Sequence, residues 1–514
     1  MIEYRRFLKA CIQVEHTQAI KLKNYIKNNQ NTLFGKTHDF RNIDNYQRFA
    51  NKVPLQEWHE IQGWIDKILN GEKNVLSQEQ LLAFEETSGS TSMSKLIPYT
   101  QSLRNEFQKG VAAWICSLFI SNPEVFNGPS YWSLSPATRI KRKTNHGIPI
   151  GMESDNEYFN PFTRFLLSNI WAVSPSISQE TAPEIFYLKT LKELLLKDKL
   201  ALLSIWSPAF LIQLDNFLQK NLPYLLDWLS VTKEGSSKRR NFLNDKLKNK
   251  YTWKSLFPSL RMVSCWTHAQ AELSLPGLRA RLGEVPIQAK GLLATEGITS
   301  IPVHPEYDPV LSLRSHFFEF RPVDQQKIFL AHQLKIGGVY ETILTTGGGL
   351  YRYASGDLVK VTGFFRSNPS LIFIGRTNRR SDLVGEKMSE HHVLLALNFI
   401  PNLMLTRINC LFVCPSNNQG SFQYNLFISF KNNDYAHSDL QKVKEVVESG
   451  LEENPYYAQA LRLGQLKPLK VRPLKEEESF ALKEFLKNRN KIKDGDFKMP
   501  ALFKVGELEE WMNF

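Results

Sequence analysis

The chain has 514 residues, 42% hydrophobic and 12% aromatic, enough to bury two or three cores; this excludes a disordered or fibrous polymer. Its net charge of +13 points to an anionic partner, either nucleic acid or a small phosphorylated or carboxylated molecule. No apolar signal core follows Met1, the longest apolar runs are too short for a bilayer, and the five cysteines form no CxxC pair, so the expectation is a reduced, cytoplasmic protein with no membrane span.

In chain order, residues 12–28 read as a helix and residues 57–69 as an amphipathic helix. Residues 81–86 read as a strand that runs into Thr87-Ser88-Gly89-Ser90-Thr91-Ser92-Met93-Ser94-Lys95. Small hydroxylated residues around one glycine leave backbone N–H groups free to bend around phosphate oxygens. Ser88, Ser90 and Thr91 add hydroxyl donors, and Lys95 adds a positive charge. The segment is not a Walker loop, because Ser94 rather than glycine precedes the lysine. A solvated Ser/Thr turn has the same local composition, so this segment alone leaves both readings open.

Residues 103–120 read as a buried helix and residues 184–196 and 211–229 as further helices, with a strand over 200–206 that stops at Pro208. Two basic clusters, Arg139-Ile140-Lys141-Arg142-Lys143 and residues 233–254 around Lys238-Arg239-Arg240, read as solvated surface. From Met262 the pattern changes to short β-like runs punctuated by Gly and Pro, at residues 285–290, 316–320, 339–346, 358–365 and 371–376. The polar stretch 377–382 reads as a hinge, and the remainder alternates helix-like and strand-like segments. The expected architecture is α/β, with a large N-terminal domain over 1–376 whose β-sheets are flanked by helices, and a small, mobile α+β domain over 377–514.

Three further segments sharpen the reading. Leu292-Leu293-Ala294-Thr295-Glu296-Gly297 sets a lone carboxylate between an apolar run and a glycine, Tyr351-Arg352-Tyr353-Ala354-Ser355-Gly356-Asp357 sets another after a glycine turn, and Gly375-Arg376 ends a strand-like run. With the Ser88–Thr91 loop these motifs resemble, in order and spacing, the auxin-responsive Gretchen Hagen family of acyl-acid amido synthetases within the adenylate-forming superfamily. The resemblance extends from Thr32-Leu33-Phe34-Gly35 through Trp206-Ser207-Pro208, Phe318-Glu319-Phe320 and Gly385-Glu386-Lys387 to Phe497-Lys498-Met499-Pro500.

The resemblance implies that Ser88, Gly89, Ser90 and Thr91 cradle the phosphates of ATP, with Lys95 closing the loop. Thr295 would meet the α-phosphate side, Glu296 would hold Mg²⁺, Asp357 would accept the ribose hydroxyls, and Arg376 would back it. Lys387 would approach the adenylate phosphate, and Lys498 matches a late lysine of the small domain. Two positions depart from the family pattern: Leu292 stands where many members carry an aromatic, and Met499-Pro500-Ala501 replaces Thr-Pro-Arg.

The function implied is ATP-dependent activation of a carboxylic acid as acyl-AMP, followed by transfer to an amine, an amino acid by resemblance. An acyl-CoA ligase shares the first step. A basic nucleic-acid-binding or interaction protein on an inactive adenylate fold is the alternative from another class; nucleic acid is not the expected partner. His146, His268 and His316 are candidate bases for the amine step, and Trp132, Trp171, Trp206, Phe210 and Trp266 are candidate acyl-pocket walls. The acid, the amine and the oligomeric state are not legible.

Overall fold

Glycine turns and alternating apolar residues in the middle of the chain fold into long antiparallel ladders. In the computed structural model, which describes residues 1–87, 95–133, 142–151, 171–180, 182–323, 325–377, 379–418, 421–490 and 497–512, Tyr353–Phe365 and Asn368–Arg376 pair as one hairpin. It lies within a seven-stranded sheet that also holds Val339–Thr345 and Phe317–Pro322. The register sets Asp357 directly opposite Arg376.

A second sheet is parallel throughout. Ser130–Trp132, Leu202–Ser204, Met262–Cys265 and Ile287–Ala289 lie side by side in that order. Helices including Pro183–Leu195, Pro208–Lys220, Ser237–Leu247 and Leu275–Leu282 contribute to a core around Leu203, Val263, Leu211 and Trp253. Its strands are short and wholly apolar in places, as expected when both faces are covered.

The polar stretch after Arg376 is more ordered than a linker. Arg380–Ser381 pairs with Met388–Ser389, and Arg379 is buried, with Nη1 donating to Leu502 O at 3.2 Å and lying 3.8 Å from Glu507, and Nε 4.0 Å from Glu390. Arg379 is therefore fastened to the C-terminal part. That part has its own core, from Met388 to Leu502, around a mixed sheet of Ile408–Asn418, Ser421–Phe430 and Leu466–Leu474.

Three local readings change. Pro208 does not end the strand; it opens the helix Pro208–Lys220, where its missing N–H costs nothing. Residues 211–229 divide into two helices, the second starting at Leu222 with a proline in its first turn. Arg239, in the second basic cluster, is buried rather than solvated: it donates to Leu195 O at 2.9 Å and Leu256 O at 2.7 Å, between the rings of Phe242 and Phe257. Among the described residues no helix is long and apolar enough to cross a membrane.

Candidate active site

Thr295 and Glu296 occupy the tip of a tight hairpin between Leu293–Ala294 and Gly297–Ile298. The hairpin is seated on His316. A Cβ at Gly297 would lie 2.8 Å from His316 Nε2, so the ring's close approach requires glycine. The Ile298 N–H donates to the same nitrogen at 3.0 Å. With Nε2 accepting, Nδ1 carries the proton and donates to Glu106 Oε2 at 3.0 Å.

Glu106 is buried and also accepts from Tyr25 OH at 2.5 Å, Lys21 Nζ at 3.2 Å and the Gly347 N–H at 2.9 Å. Burial opposes its charge, but Lys21, His316 and Tyr25 prevail and hold its pKa down at about 2. Burial pushes the His316 pKa below its usual value despite that carboxylate. A neutral, fully enclosed His316 with both nitrogens engaged is not available as a base. Of the other two histidines, His146 is exposed, while His268 lines a cavity and burial lowers its pKa.

Asp357 follows Gly356, whose φ of +79° is the left-handed turn that glycine adopts without strain. Arg376 Nε donates to Asp357 Oδ1 at 2.9 Å, and the carboxylate is buried while the guanidinium is partly open. The Asp357 charge is the main cause of a raised Arg376 pKa; burial opposes it and Glu296 adds to it. Lys95 Nζ donates to Tyr353 OH at 2.9 Å and stands 5.7 Å from the Trp58 ring centre. Burial lowers the Lys95 pKa, with Glu296 and Asp357 raising it and Arg376 lowering it. Lys95, Glu296, Asp357 and Arg376 thus share one electrostatic field although they are far apart in sequence.

Ser88, Gly89, Ser90 and Thr91 lie outside the described residues. The two ends of their segment are closed together: Glu86 pairs with Leu96, and the Thr87 N–H donates to Lys95 O at 3.0 Å. Lys387 lies in the turn between Arg380–Ser381 and Met388–Ser389. It is exposed, in a turn with φ of +46°, and lies 5.9 Å from the Tyr456 ring centre. Lys498 reaches across to the large part, 3.5 Å from the Trp266 ring centre. There it lines a cavity with Leu292, Phe373 and the segment Trp266–Ala271. Thr267 Oγ1 and Gln270 Oε1 line the same cavity and are buried with no hydrogen-bond partner among the described residues.

Sequence reasoning gave no role to Glu106, to Lys290 or to Arg352. Arg352, inside the Tyr351–Asp357 motif, is a structural clasp. It is buried at φ +47°, donates to Glu319 at 2.8–3.1 Å, and holds the carbonyls of Ala50 and Val53. A lone arginine with positive φ beside a glycine turn is visible only in three dimensions.

Of the candidate wall residues, Trp206 and Trp266 pair at 5.4 Å, whereas Phe210 is buried in the parallel-sheet core.

A large α/β body whose nucleotide-type motifs converge, and against which a smaller α+β part lays a late lysine, defines an adenylate-forming fold. The solved 2-hydroxyisobutyryl-CoA ligase in its postadenylation state shares that fold, with a TM-score of 0.54 at 12% identity over 99% of this chain and 91% of that one. The chain belongs to the GH3 family: it matches the family's N-terminal domain over residues 3–287, its central domain over 309–376 and its C-terminal domain over 394–507. The indole-3-acetic acid-amido synthetase GH3.4 of Arabidopsis thaliana is 24% identical over 407 residues, 71% of this chain and 67% of that protein. The jasmonoyl–L-amino acid synthetase JAR6 of Nicotiana attenuata is 23% identical over 421 residues, 73% of this chain and 71% of that protein. The solved GH3.15 acyl acid amido synthetase superposes with a TM-score of 0.85 at 19% identity, covering 99% of this chain and 95% of that one.

Proposed function

We propose that this chain is an ATP-dependent acyl-acid amido synthetase, a ligase that forms a carbon–nitrogen bond between a carboxylic acid and an amine. The observation that carries this reading is the convergence of Lys95, Glu296, Asp357 and Arg376 in one field within a GH3 chain. The named activities of the relatives support an amino acid as the amine.

A carboxylate resists nucleophilic attack because its charge repels nucleophiles and oxide leaves poorly. Attack of a carboxylate oxygen on the α-phosphorus of ATP breaks the bond to the bridging oxygen, releases pyrophosphate and leaves acyl-AMP. The amine nitrogen then attacks the acyl carbonyl, gives up its proton to a base, and the bond to AMP breaks. Asp357, acceptor-only when ionised, suits the ribose hydroxyls, with Arg376 fixing its orientation. Ser88–Thr91 and Lys95 would bind the phosphates, and Thr295 the α-phosphate side. Leu292 offers adenine an aliphatic surface, and the orphaned Thr267 Oγ1 and Gln270 Oε1 suit its polar edge. His268, at that cavity and favoured as the neutral form, suits the base.

The donor set fits Mg²⁺: a single carboxylate, Glu296, is enough for a cation that takes its other ligands from phosphate oxygens and water, and the described residues hold no three-ligand metal cluster. When bound, Mg²⁺ neutralises charge on the phosphates.

The chain would divide into domains 1–376 and 377–514, and the smaller would rotate between the two half-reactions, exchanging Lys498 and Lys387 at the adenylate. The gap between the central and C-terminal family domains, at residues 377–393, supports that division. Five free thiols support a reducing compartment such as the cytoplasm. The buried Arg239 removes one residue from the basic face that nucleic-acid binding would use.

Mass spectrometry of products formed from ATP, Mg²⁺ and pooled acids, with either amino acids or coenzyme A, tests the reading. An amide with AMP release is expected. A thioester alone would establish an acyl-CoA ligase, and salt-sensitive RNA binding without any turnover would favour the non-enzymatic alternative.

A further inference from the structure

Parallel strands covered on both faces are expected to be apolar, and the parallel sheet departs from that on one face. Leu203 and Val263 belong to the helical core on one side. On the other, under the helix Gln101–Ser121, Leu202 and Met262 pack with Leu118. One strand repeat further on, Trp132, Ser204, Ser264 and Gln288 stand side by side in register. An apolar face thus turns polar at the carboxyl end of its strands, the end where open α/β sheets bind ligands.

Gln288 is fixed within this row. Trp114 Nε1, which can only donate, lies 3.1 Å from Gln288 Oε1, and Ser264 Oγ donates to the same oxygen at 3.0 Å. Two donors on the carbonyl oxygen settle which way the amide points. Its nitrogen, Nε2, has no hydrogen-bond partner among the described residues, and Gln288 is only partly buried although Ser264 and Trp114 are buried. An amide held twice by its oxygen, with its N–H groups uncommitted, is a preorganised donor for a ligand.

The surroundings say what kind of ligand. Trp114 closes against Trp132 with ring centres 5.8 Å apart and planes at 67°, so indole surface runs along the row from Gln288 to Trp132 and suits a flat ring. Lys290 links the row to the cavity of Leu292: its Nζ donates to Ser204 Oγ at 3.0 Å, and the residue lines that cavity. From there the chain runs directly into the Thr295–Glu296 hairpin.

We propose that Gln288 determines specificity in the acyl-acid pocket, donating from Nε2 to a neutral acceptor oxygen on an aromatic carboxylic acid, remote from the carboxylate that reacts. The proposal rests on the adenylation reading above. The reacting carboxylate lies towards the Thr295–Glu296 hairpin, the ring against the indoles, and the acceptor oxygen at the polar row.

The test compares meta- and para-acetylbenzoate with meta- and para-isopropenylbenzoate, in which a methylene of the same shape replaces the ketone oxygen. Each acid is a substrate for pyrophosphate–ATP exchange in the wild type, Gln288→Glu and Gln288→Met, and its binding is measured by calorimetry as a readout independent of chemistry. Gln288→Glu keeps an oxygen for Trp114 and Ser264 and removes the N–H donors; Gln288→Met removes both. In at least one pair the wild type is expected to prefer the acetyl acid by about three- to tenfold in kcat/KM, the scale of one neutral hydrogen bond. Both variants should bring that ratio near one, through a larger rise in KM for the acetyl acid than for its partner. A wild type with no preference in either pair overturns the proposal. So do variants that lose exchange equally with both members of a pair, since the glutamine would then serve the reacting carboxylate or the fold. If no acid supports exchange, tighter binding of the acetyl acid by the wild type that Gln288→Glu abolishes would uphold the pocket and count against adenylation; no such difference, or no binding, would overturn the proposal itself.

Discussion

His316 Nδ1 lies 3.0 Å from Glu106 Oε2, and the opposite ring nitrogen receives the Ile298 N–H at 3.0 Å. Through this one imidazole the buried carboxylate is linked to the hairpin that presents Glu296, and through the Gly347 N–H it is linked to the loop that leads into Tyr351–Asp357. The Thr295–Glu296 hairpin and the loop before Tyr351–Asp357 thus rest on a single side chain. Glu106→Gln should leave the largely buried Lys21 without its counter-charge and cost about 3 kcal/mol or more of stability. Urea unfolding measures that loss, and a raised KM for ATP should accompany it.

The same network sets an acid limit. The folded pKa of His316 lies below its usual 6.5, so the unfolded chain binds the extra proton first and stability falls as pH drops through that value. Glu106, about 2 in the folded state against 4.5 unfolded, contributes stability that is complete above 4.5 and is lost as pH falls towards 2. Unfolding midpoints across pH 3–8 should therefore decline below about 6.5 and more steeply below about 4.5. In His316→Gln the first decline should be weaker.

Gly297→Ala would place a methyl against the enclosed His316 ring, 2.8 Å from Nε2. The ring is held at both nitrogens, so the hairpin has to move instead. A stability cost of about 1–3 kcal/mol is expected. Exchange activity should fall further than stability does, with a raised Mg²⁺ requirement, because the displaced element carries Glu296. Mg²⁺ titration of the exchange rate checks this.

Arg379 belongs to the C-terminal core rather than to a free linker, through Leu502 O, Glu390 and Glu507. Arg379→Ala should destabilise by about 3 kcal/mol and slow both half-reactions together. Thr377→Pro removes the N–H that Thr377 donates to Gly356 O at 2.8 Å, beside Asp357, and should slow exchange as well as amide formation. Single-turnover measurement of each half-reaction checks both variants.

Local chemistry made much of this legible. The strand Leu81–Glu86 announces itself through a short apolar run and the ladder carrying Asp357 through β-like runs and glycine turns, and the order of three motifs points to the family. The strand readings fail where one residue has two uses, as with Pro208, which can stop one element or start the next. Buried polar residues were invisible for a different reason. Glu106 looks like one polar position on a helix, and its histidine partner is 210 residues away; Lys290 and Ser204 are 86 apart. Arg239 sits in a basic run that suggests surface, and only the packing of Phe242 and Phe257 shows otherwise. Such partners are chosen by tertiary contact, which no local pattern records.

Carboxylate-dependent exchange of labelled pyrophosphate into ATP, in the wild type and in Asp357→Ala, tests the central claim most directly. Removing that carboxylate takes away the proposed ribose acceptor and the hydrogen-bond acceptor of Arg376 Nε. Exchange that depends on an added acid and falls at least about a hundredfold in the folded variant is expected. Exchange that is equally fast without Asp357 would contradict the proposed nucleotide site, and acid-independent exchange would contradict adenylation of a carboxylate.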